Sequence, residues 1–256
     1  MAVVMLSFVS CIGTEKEVAV YNEFTVYPPQ FRTVGGQKIM WIAGNDGSLC
    51  AFANSGSNND KIVINGVEFE VYWDEFNSLW KARRSDRGSE AVGRMNDGFF
   101  VVFPSDGATF DSENGLYGNV QFNDQNPPMA AFIQDNKVNL EPCGCILNVI
   151  SSVPVKITIS TDDDNGGKFV KSGSIDPINS LVLDDGEDYE IADLDCSGEI
   201  VNGQHVYHYL SLPMTAETVR VTEIIIEDMD GNIYALTSEM DFSKGVFYTI
   251  DLGGIN

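Results

Sequence analysis

The residues of this chain that could do chemistry are few, and their spacing does not assemble a catalytic site. The two histidines, His205 and His208, lie within the run HVYH. The surrounding residues predict a strand, in which an odd separation points the two rings to opposite faces, so they cannot hold one metal ion together. The sequence contains no G-x-S-x-G elbow, no phosphate-binding P-loop and no H-E-x-x-H pair. We therefore expect a protein that is not an enzyme and that needs no cofactor or metal.

Carboxylates are the abundant polar groups, with 38 Asp and Glu residues against 15 Lys and Arg and a formal net charge of -23. A surface of this charge repels phosphate backbones and anionic lipids, so we expect no nucleic-acid partner and no direct membrane contact. The acids gather beside glycines at 162–167, 184–188 and 227–231, which is typical of turns because Asp hydrogen-bonds the local backbone. A calcium loop that began at Asp162 would end in a glutamate, but Gly173 stands there.

The amino terminus carries a cysteine for which the sequence indicates a modification. Residues 1–9 are nearly all apolar, too few to span a bilayer but typical of the core of a secretory signal. Ser10 and Cys11 follow, and the pattern resembles a bacterial lipoprotein signal, in which Cys11 is acylated and anchors the mature chain to a membrane. The basic region that precedes such signals is missing, and Phe8 stands where leucine is preferred. The alternative is a first buried strand with an incidental cysteine.

Four other cysteines allow three disulfide pairings, and the sequence does not choose among them. These cysteines are Cys50, Cys143, Cys145 and Cys196. Cys143 and Cys145 lie two positions apart in a strand-like run, which predicts that both thiols point to one face. A single C-x-C pair without nearby histidines is weak as a metal site. We expect buried free thiols that pack as small hydrophobic side chains.

The elements that position these residues are predicted to be strands. The run 99–103 is continuously apolar, as a strand buried on both faces is, and Pro104 ends it. In 116–122 the even positions hold Leu, Gly, Val and Phe, which predicts a half-buried strand with these residues on one face and Tyr117 on the other. The run 129–133 is apolar again and predicts another strand.

Turn signals predict several hairpins. The clearest spans 61–73, where Asn65-Gly66 is the preferred two-residue turn because both positions need positive φ. A second spans 219–237 around Asp230-Gly231-Asn232, and a third joins 158–160 to 168–171 through the acidic glycine loop. The last strand is predicted at 246–252.

One segment, 74–82, has the apolar spacing of a helix, with Asp74 as its cap. Trp41 and Trp73 fall in strand patterns and are predicted to lie in the core. If they were exposed, they could form a sugar-stacking platform together with Trp80, Tyr207 and Tyr209.

Many short strands with turn signals every 8–12 residues are typical of antiparallel β-sandwiches. The 256 residues suffice for two domains of ordinary size. A polar segment after Pro127-Pro128 marks a boundary near residue 139. We therefore predict an all-β chain with a signal at 1–11, an amino-terminal β-sandwich at 12–139 and a carboxy-terminal β-sandwich at 140–256.

Several segments, in their order and spacing, resemble the fimbrillin family, the pilin-like subunits of surface fimbriae in Bacteroidales. They are Arg32-Thr33, the run MWIAGND at 40–46, Phe103-Pro104, the run NPPMAA at 126–131, and the run YHYLSLP at 207–213. The resemblance implies two transthyretin-like antiparallel β-sandwich domains, export as a lipoprotein acylated at Cys11, and display at the cell surface on the outer membrane, in a fimbrium.

The resemblance also implies a mode of assembly and a function in adhesion. In polymerising fimbrillins a surface protease cuts after an arginine, the first strand leaves, and a strand from a neighbouring subunit enters the groove. Here 18–26 would be the removable strand and Arg32-Thr33 the cut, with other fimbrial subunits as partners. A rival target is a basic group expected in an exposed loop, comprising Lys81, Arg83, Arg84 and Arg87. The alternative is a monomeric surface lipoprotein that binds a glycan or a host protein.

Overall fold

The computed structural model describes a chain of short strands and turns. The described residues are 20–27, 30–33, 38–40, 60–86, 88, 91–120, 127–153, 155–162, 167–183, 194–196, 200–201, 205–228, 230–236 and 239–252. Within these ranges there is no helix. The prediction of an all-β protein of the β-sandwich class is confirmed.

The strands are numbered here along the chain. They are β1 (Val20–Tyr21), β2 (Glu23–Tyr27), β3 (Gln30–Thr33), β4 (Lys38–Met40), β5 (Lys61–Ile64), β6 (Val67–Asp74), β7 (Leu79–Arg84), β8 (Val92–Gly93), β9 (Phe99–Phe103), β10 (Thr109–Asp111), β11 (Leu116–Gly118), β12 (Met129–Ile133), β13 (Lys137–Asn139), β14 (Glu141–Pro142), β15 (Gly144–Ser151), β16 (Val155–Thr161), β17 (Ser174–Asp176), β18 (Leu181–Leu183), β19 (Leu194–Cys196), β20 (Ile200–Val201), β21 (His205–Pro213), β22 (Thr218–Asp228), β23 (Ile233–Leu236), β24 (Met240–Ser243) and β25 (Val246–Asp251).

These strands form four larger sheets and a small pairing of β1 with β8. An eight-stranded sheet has the order β13-β2-β7-β6-β5-β9-β12-β14, and a six-stranded sheet has the order β20-β21-β15-β25-β3-β4. A five-stranded sheet has the order β19-β16-β22-β23, with β24 also on β22, and a four-stranded sheet has the order β10-β11-β17-β18. Most neighbours are antiparallel, but β13 with β2, β15 with β25, and β25 with β3 are parallel.

Three hydrophobic cores lie among these sheets. The first combines the inward residues of the eight-stranded sheet with Phe31, Ile146 and Phe247 of the six-stranded sheet. The second combines Leu147, on the opposite face of the six-stranded sheet, with residues of the five-stranded sheet such as Ile157. Consecutive residues of a strand point to opposite faces, so β15 contributes to both cores. The six-stranded sheet is therefore shared between them.

The third core joins the two halves of the chain. Phe100 and Tyr117 from the first half pack with Ile175 and Val182 from the second half. β11 and β17 also pair at Tyr117 and Ile175. Strands cross in the other direction too, because β3 pairs with β25. The domain boundary near residue 139 stays a prediction, and strands from each side of it contribute to sheets on the other side.

The strands predicted from continuous apolar runs and turn signals are present. All five residues of β9 are buried, and β12 pairs along its whole length with β9. The hairpin of β5 and β6 turns at Asn65 and Gly66, whose φ angles are 47° and 80°. The hairpin of β22 and β23 and the last strand, β25, also lie where the sequence predicts them.

The predicted helix at 74–82 is wrong. This segment ends β6 at Asp74, turns, and continues as β7. The Asp74 carboxylate accepts hydrogen bonds from the backbone N–H groups of Phe76 and Asn77, at 3.1 and 3.2 Å, and from the Asn77 side chain at 2.7 Å. Ser78 then takes a positive φ of 53°, which ends any helical turn. The aspartate begins a hairpin turn because cross-strand pairing outweighs a weak helical pattern.

Two further expectations are corrected. Residues 168–171 are not the hairpin partner of β16, which pairs with β19 and β22, and Phe169 instead forms an isolated bridge with Met214. In β11 the face assignment is reversed, because Tyr117 is the fully buried residue while Leu116 is only half-buried. The face that the alternation predicts to be wet packs against the eight-stranded sheet, which contributes Phe100 and Val102 of β9 to the third core.

The Tyr117 hydroxyl holds the first hairpin turn to the third core. It donates to the backbone carbonyl of Phe100 at 2.7 Å, with the carbonyl of Val63 at 3.2 Å as a second acceptor. The Phe100 N–H donates in turn to Asn65 Oδ1 at 2.8 Å. Burial raises the pKa of Tyr117, so the hydroxyl stays protonated.

Tyr117→Phe is expected to lower the free energy of unfolding by about 1–2 kcal/mol, because it leaves buried carbonyl groups with fewer donors. Urea unfolding at neutral pH measures the loss. Tyr27→Phe is the control, since Tyr27 is an exposed tyrosine on β2, and it should change the free energy by less than about 0.5 kcal/mol. Equal effects of the two substitutions would contradict a structural role for the buried hydroxyl.

Candidate functional site

The candidate site is the position of β2 in the eight-stranded sheet, called here the β2 slot and bounded by β7 and β13. β2 runs antiparallel to β7, with Phe24 opposite Ala82, and parallel to β13, with Val26 opposite Val138. The Thr25 N–H donates to the backbone carbonyl of Asn136 at 2.8 Å. β2 is thus a five-residue strand with backbone pairing on both sides.

The inward face of β2 fills the first core. Phe24 and Val26 are almost completely buried, at 0% and 1% exposure. The Phe24 ring packs edge-to-face against Phe69 and Phe99, with centroids 5.3 Å away in both cases, and against Tyr21 at 5.8 Å. These geometries are the favourable ones for aromatic pairs. A short strand therefore supplies the residue on which three other rings converge.

The outward face of β2 is tied to the sheet by a polar group, called here the Glu23 cluster: Glu23, Tyr72, Asp74 and Lys81. Lys81 Nζ lies 2.8 Å from Glu23 Oε1 and 3.0 Å from Asp74 Oδ2. The Tyr72 hydroxyl donates to Glu23 Oε2 at 2.8 Å. The cluster spans β2, β7 and β6, so it connects the strand in the slot to its neighbour β7 and, across β7, to β6.

The contacts within the Glu23 cluster lower the pKa values of its two carboxyl groups and raise the pKa of Tyr72. Burial would raise the pKa of Glu23, but hydrogen bonds from Lys81 and Tyr72 outweigh it and hold the pKa below its ordinary value of 4.5. Hydrogen bonds from Asn77 and Lys81 lower the pKa of Asp74 to about 2. Burial and the bond to Glu23 raise the pKa of Tyr72 to about 12. At neutral pH both carboxylates are ionised and Tyr72 remains a donor.

The predicted removable strand, 18–26, corresponds in its described part to β1 and most of β2. The predicted cut, Arg32-Thr33, lies within β3, between β25 and β4. The Arg32 N–H donates to the carbonyl of Gly245 at 2.8 Å, and its side chain is exposed. Its neighbour Phe31 is fully buried in the first core. A protease that binds its substrate as an extended strand would need β3 to open first.

Other predicted sites fall outside the described residues or outside this slot. Cys11, Trp41 and Cys50 lie outside the described residues. The two thiols of the C-x-C pair are buried and free, but they do not share a face: Cys143 lies in the third core and Cys145 in the second. The chain bends at Cys143 before β15 begins, so the strand rule does not hold across the pair. Burial raises the pKa of both thiols.

The prediction that Trp73 lies in the core is wrong. Its side chain is 37% exposed and packs edge-to-face on Trp80, with centroids 5.4 Å apart. The hairpin of β6 and β7 extends past the first core, so its last inward positions reach solvent. Phe76, at the turn, is 95% exposed, and Leu79 and Tyr27 are exposed nearby.

The basic group is not an exposed loop in its described part. Lys81, Arg83 and Arg84 belong to β7, and each contacts a carboxylate, while Arg87 lies outside the described residues. Arg83 lies 3.5 Å from Glu70 and over the ring of Tyr72, and Arg84 lies beside Asp86. The alternation Leu79, Lys81, Arg83 on one face is the sequence signal of this strand.

The histidines belong to β21, where His205 pairs with Val201 and His208 with Val149. Among the described residues, no group of three or more His, Cys, Asp or Glu side chains could hold a metal ion. Within the same ranges, no helix is long and apolar enough to cross a membrane.

The Glu23 cluster was not predicted from the sequence, which indicated Asp74 only as a helix cap and Lys81 only as part of the basic group. The available signal was a pair of matching pentapeptides, EFTVY at 23–27 and EFEVY at 68–72. Each alternates outward polar and inward apolar residues, as a half-buried strand does. That both lie against the same third strand is a tertiary fact.

Comparisons with known proteins give distant likenesses. No family model and no curated protein matches the chain. A solved structure from Bacteroides ovatus is 12% identical with a TM-score of 0.44 and covers 88% of this chain and 92% of that chain. One from Bacteroides uniformis is 13% identical with a TM-score of 0.43 and covers 82% and 94%. One from Bacteroides fragilis is 9% identical with a TM-score of 0.38 and covers 89% and 92%. All three carry the provisional description of cell adhesion proteins, which likeness at this level does not transfer to this chain.

Phe24→Ala is expected to lower the free energy of unfolding by about 3–5 kcal/mol, because it empties the meeting point of three rings. Thr25→Ala, the neighbouring position on the outward face, should cost less than about 1 kcal/mol. Urea unfolding of the full chain measures both. Similar losses at the two positions would show that β2 does not fill the core.

Low pH is expected to weaken the contacts that the Glu23 cluster makes with β2. In the folded chain the pKa of Glu23 lies below its ordinary value of 4.5, and the pKa of Asp74 is lowered from 3.8 to about 2. As the pH falls, the unfolded chain therefore binds more protons at these two groups than the folded chain does. Stability from these groups is therefore complete above about pH 4.5 and is lost between there and about pH 2. Glu23→Gln should lower the free energy of unfolding by about 0.5–1 kcal/mol at pH 7.

The difference between wild type and Glu23→Gln should shrink as the pH drops through this window, measured by urea unfolding at several pH values. Glu141→Gln, on the exposed face of β14, is the control and should parallel the wild type. A Glu23→Gln difference that is as large at pH 2.5 as at pH 7 would contradict this role of the carboxylate.

Proposed function

We propose that this chain is a structural or accessory subunit of a cell-surface fimbria, which assembles by strand complementation and supports adhesion. A strand of a neighbouring subunit would replace β2 in the β2 slot. The observation that carries the proposal is that β2 fills the first core with Phe24 and Val26, while the next strand, β3, belongs to a different sheet. β2 is therefore a separable piece of the eight-stranded sheet rather than half of a hairpin.

The energetics of the slot support replacement by another strand. A cut after Arg32 would release β1, β2 and the first part of β3, and with them three fully buried side chains, Phe24, Val26 and Phe31. Burial of each such side chain contributes about 1.5–3 kcal/mol. The exposed edges of β7 and β13 would also lose their backbone partners, and an unpaired edge is a template for strand addition. Both losses are restored when a matching strand enters.

The surface location belongs to the same proposal. The apolar run at 1–9 followed by Ser10-Cys11 supports export and a lipid anchor at Cys11 on the outer membrane. The order of short motifs that resemble fimbrillins supports display in a fimbrium. The net charge of -23 is compatible with a solvated surface.

A second candidate function is capture of a glycan or a host protein by a monomeric surface lipoprotein. Its support is the exposed end of the β6–β7 hairpin, where Trp73, Phe76 and Leu79 reach solvent. Exposed aromatic rings are suited to stacking on sugars and to protein contacts.

The subunit function is tested by treating the full chain with an arginine-specific protease, identifying the new amino terminus by mass spectrometry and imaging the product by negative-stain microscopy. We expect a terminus at Thr33 and filaments from the wild type. Arg32→Ala should stay uncut at that position and remain monomeric. Arg220→Ala, at an exposed arginine of β22 away from the β2 slot, is the control and should behave as the wild type.

Wild-type protein that stays monomeric after cleavage at Arg32 would contradict strand complementation and favour the second candidate. Filaments formed equally well by Arg32→Ala would show that release of the first strand does not depend on this arginine.

A further inference from the structure

The strand beside the β2 slot has an unusual charge for this chain. β7 carries three of the 15 basic residues of a protein with 38 acidic ones. Lys81 and Arg83 both lie on its outward face. Trp80 and Ala82, which alternate with them along the strand, point to the first core. A basic outward face on one strand of a half-buried sheet is positioned to bind acidic side chains on the strands beside it.

Both neighbours of β7 meet this description with nearly the same sequence. β2 reads EFTVY at 23–27 and β6 reads EFEVY at 68–72. In each, the Phe and Val are buried and the Glu faces outward. β7 runs antiparallel to both strands. The chain thus places the same acidic, aromatic and β-branched pattern on each side of one basic strand.

The contacts on the β2 side are the more specific ones. Lys81 has a side-chain exposure of 19%, and its ammonium group lies between the carboxylates of Glu23 and Asp74. Tyr72 donates to the second oxygen of Glu23. Both Glu23 oxygens are therefore engaged, one by a cation and one by a neutral donor. A carboxylate satisfies this arrangement better than an amide because it accepts at both oxygens.

We propose that β7 selects by charge the strand that occupies the β2 slot, and that the partner is an extended segment with an outward acidic residue directly before an inward aromatic residue. Lys81 and Tyr72 are the residues that recognise the carboxylate. The inference rests on the proposed function for its biological partner, a strand from another subunit. It adds the chemistry by which that strand is chosen.

A strand with another residue in place of the acid is disfavoured for physical reasons. A glutamine is neutral and presents an NH2 group in place of one carboxylate oxygen, so it loses the ion pair with Lys81 and one of the two acceptor positions that Lys81 and Tyr72 use. A lysine places two ammonium groups within contact distance, and like charges across neighbouring strands are destabilising. The remaining basic side chain nearby, Arg83, lies opposite Glu23 in the strand register and adds to that repulsion.

The test is competition during refolding of the full chain. The chain is denatured in urea and refolded with an excess of a fluorescent peptide of residues 20–27, and captured peptide is measured by gel filtration. We expect the native peptide to be captured about two- to five-fold more than a Glu23→Gln peptide, the range of an ion pair of this exposure. A Glu23→Lys peptide should be captured least.

The dependence on Lys81 is the decisive comparison. In a Lys81→Met chain the preference for the native peptide over the Glu23→Gln peptide should become smaller, because only the hydrogen bond from Tyr72 still recognises the carboxylate. Lys61→Met is the matched control, since Lys61 pairs with Glu68 on the same sheet at 2.7 Å without contacting β2, and it should keep the preference. Equal capture by the wild-type chain, or an undiminished preference in Lys81→Met, would overturn the proposal.

A second measurement tests the proposal even if no peptide is captured. In the intact chain, Glu23→Gln should speed hydrogen exchange of the β2 amides about two- to five-fold, and this effect should be smaller in the Lys81→Met background. No change in exchange would overturn the proposal. Filament formation after cleavage is read separately, so a failure of assembly with intact charge preference refutes the proposed function but leaves the selection by β7 standing.

Discussion

The first core depends on two inward side chains, Phe24 and Val26, of the five-residue strand β2. Phe24 is the ring on which Tyr21, Phe69 and Phe99 converge, so the packing of the eight-stranded sheet is continuous only while β2 lies in its slot. Protein interiors are packed as densely as organic crystals, and a vacancy of this size is not absorbed by small shifts. The strand that lies in the β2 slot therefore determines whether the first core is completely packed.

The rest of the fold is arranged so that this strand is discrete. The chain leaves β2 and enters the six-stranded sheet as β3, so no hairpin ties β2 to its successor. The third core, with Tyr117 packed on Ile175, binds the two halves of the chain independently of β2. The outward contact of β2 is polar and partly solvent-accessible, through Glu23 and Lys81. Strong packing on one face and an ionic contact on the other are compatible with the strand exchange that we propose.

Several elements could be predicted because their determinants are local. The buried strand 99–103 is a continuous apolar run, and Asn65-Gly66 takes the two positive φ angles of its turn. The segment at 74–82 could not be predicted from its own spacing, because the hairpin that it forms depends on pairing with a distant strand. Tyr117 was assigned to the wrong face for a similar reason, since the residues that cover it, such as Phe100 and Val102, belong to another sheet.

The sequence by itself determined the class of the protein: an all-β chain, strongly acidic, with alternating strands, tight turns and no catalytic motif. These follow from side-chain periodicity and from turn chemistry, which act over a few residues. Only the tertiary structure decided which strands are neighbours. The two EFxVY pentapeptides lie on either side of β7. The basic stretch that was predicted to be a loop is the strand β7, whose Lys81 contacts Glu23. Such contacts join residues far apart in the chain, and no local pattern encodes them.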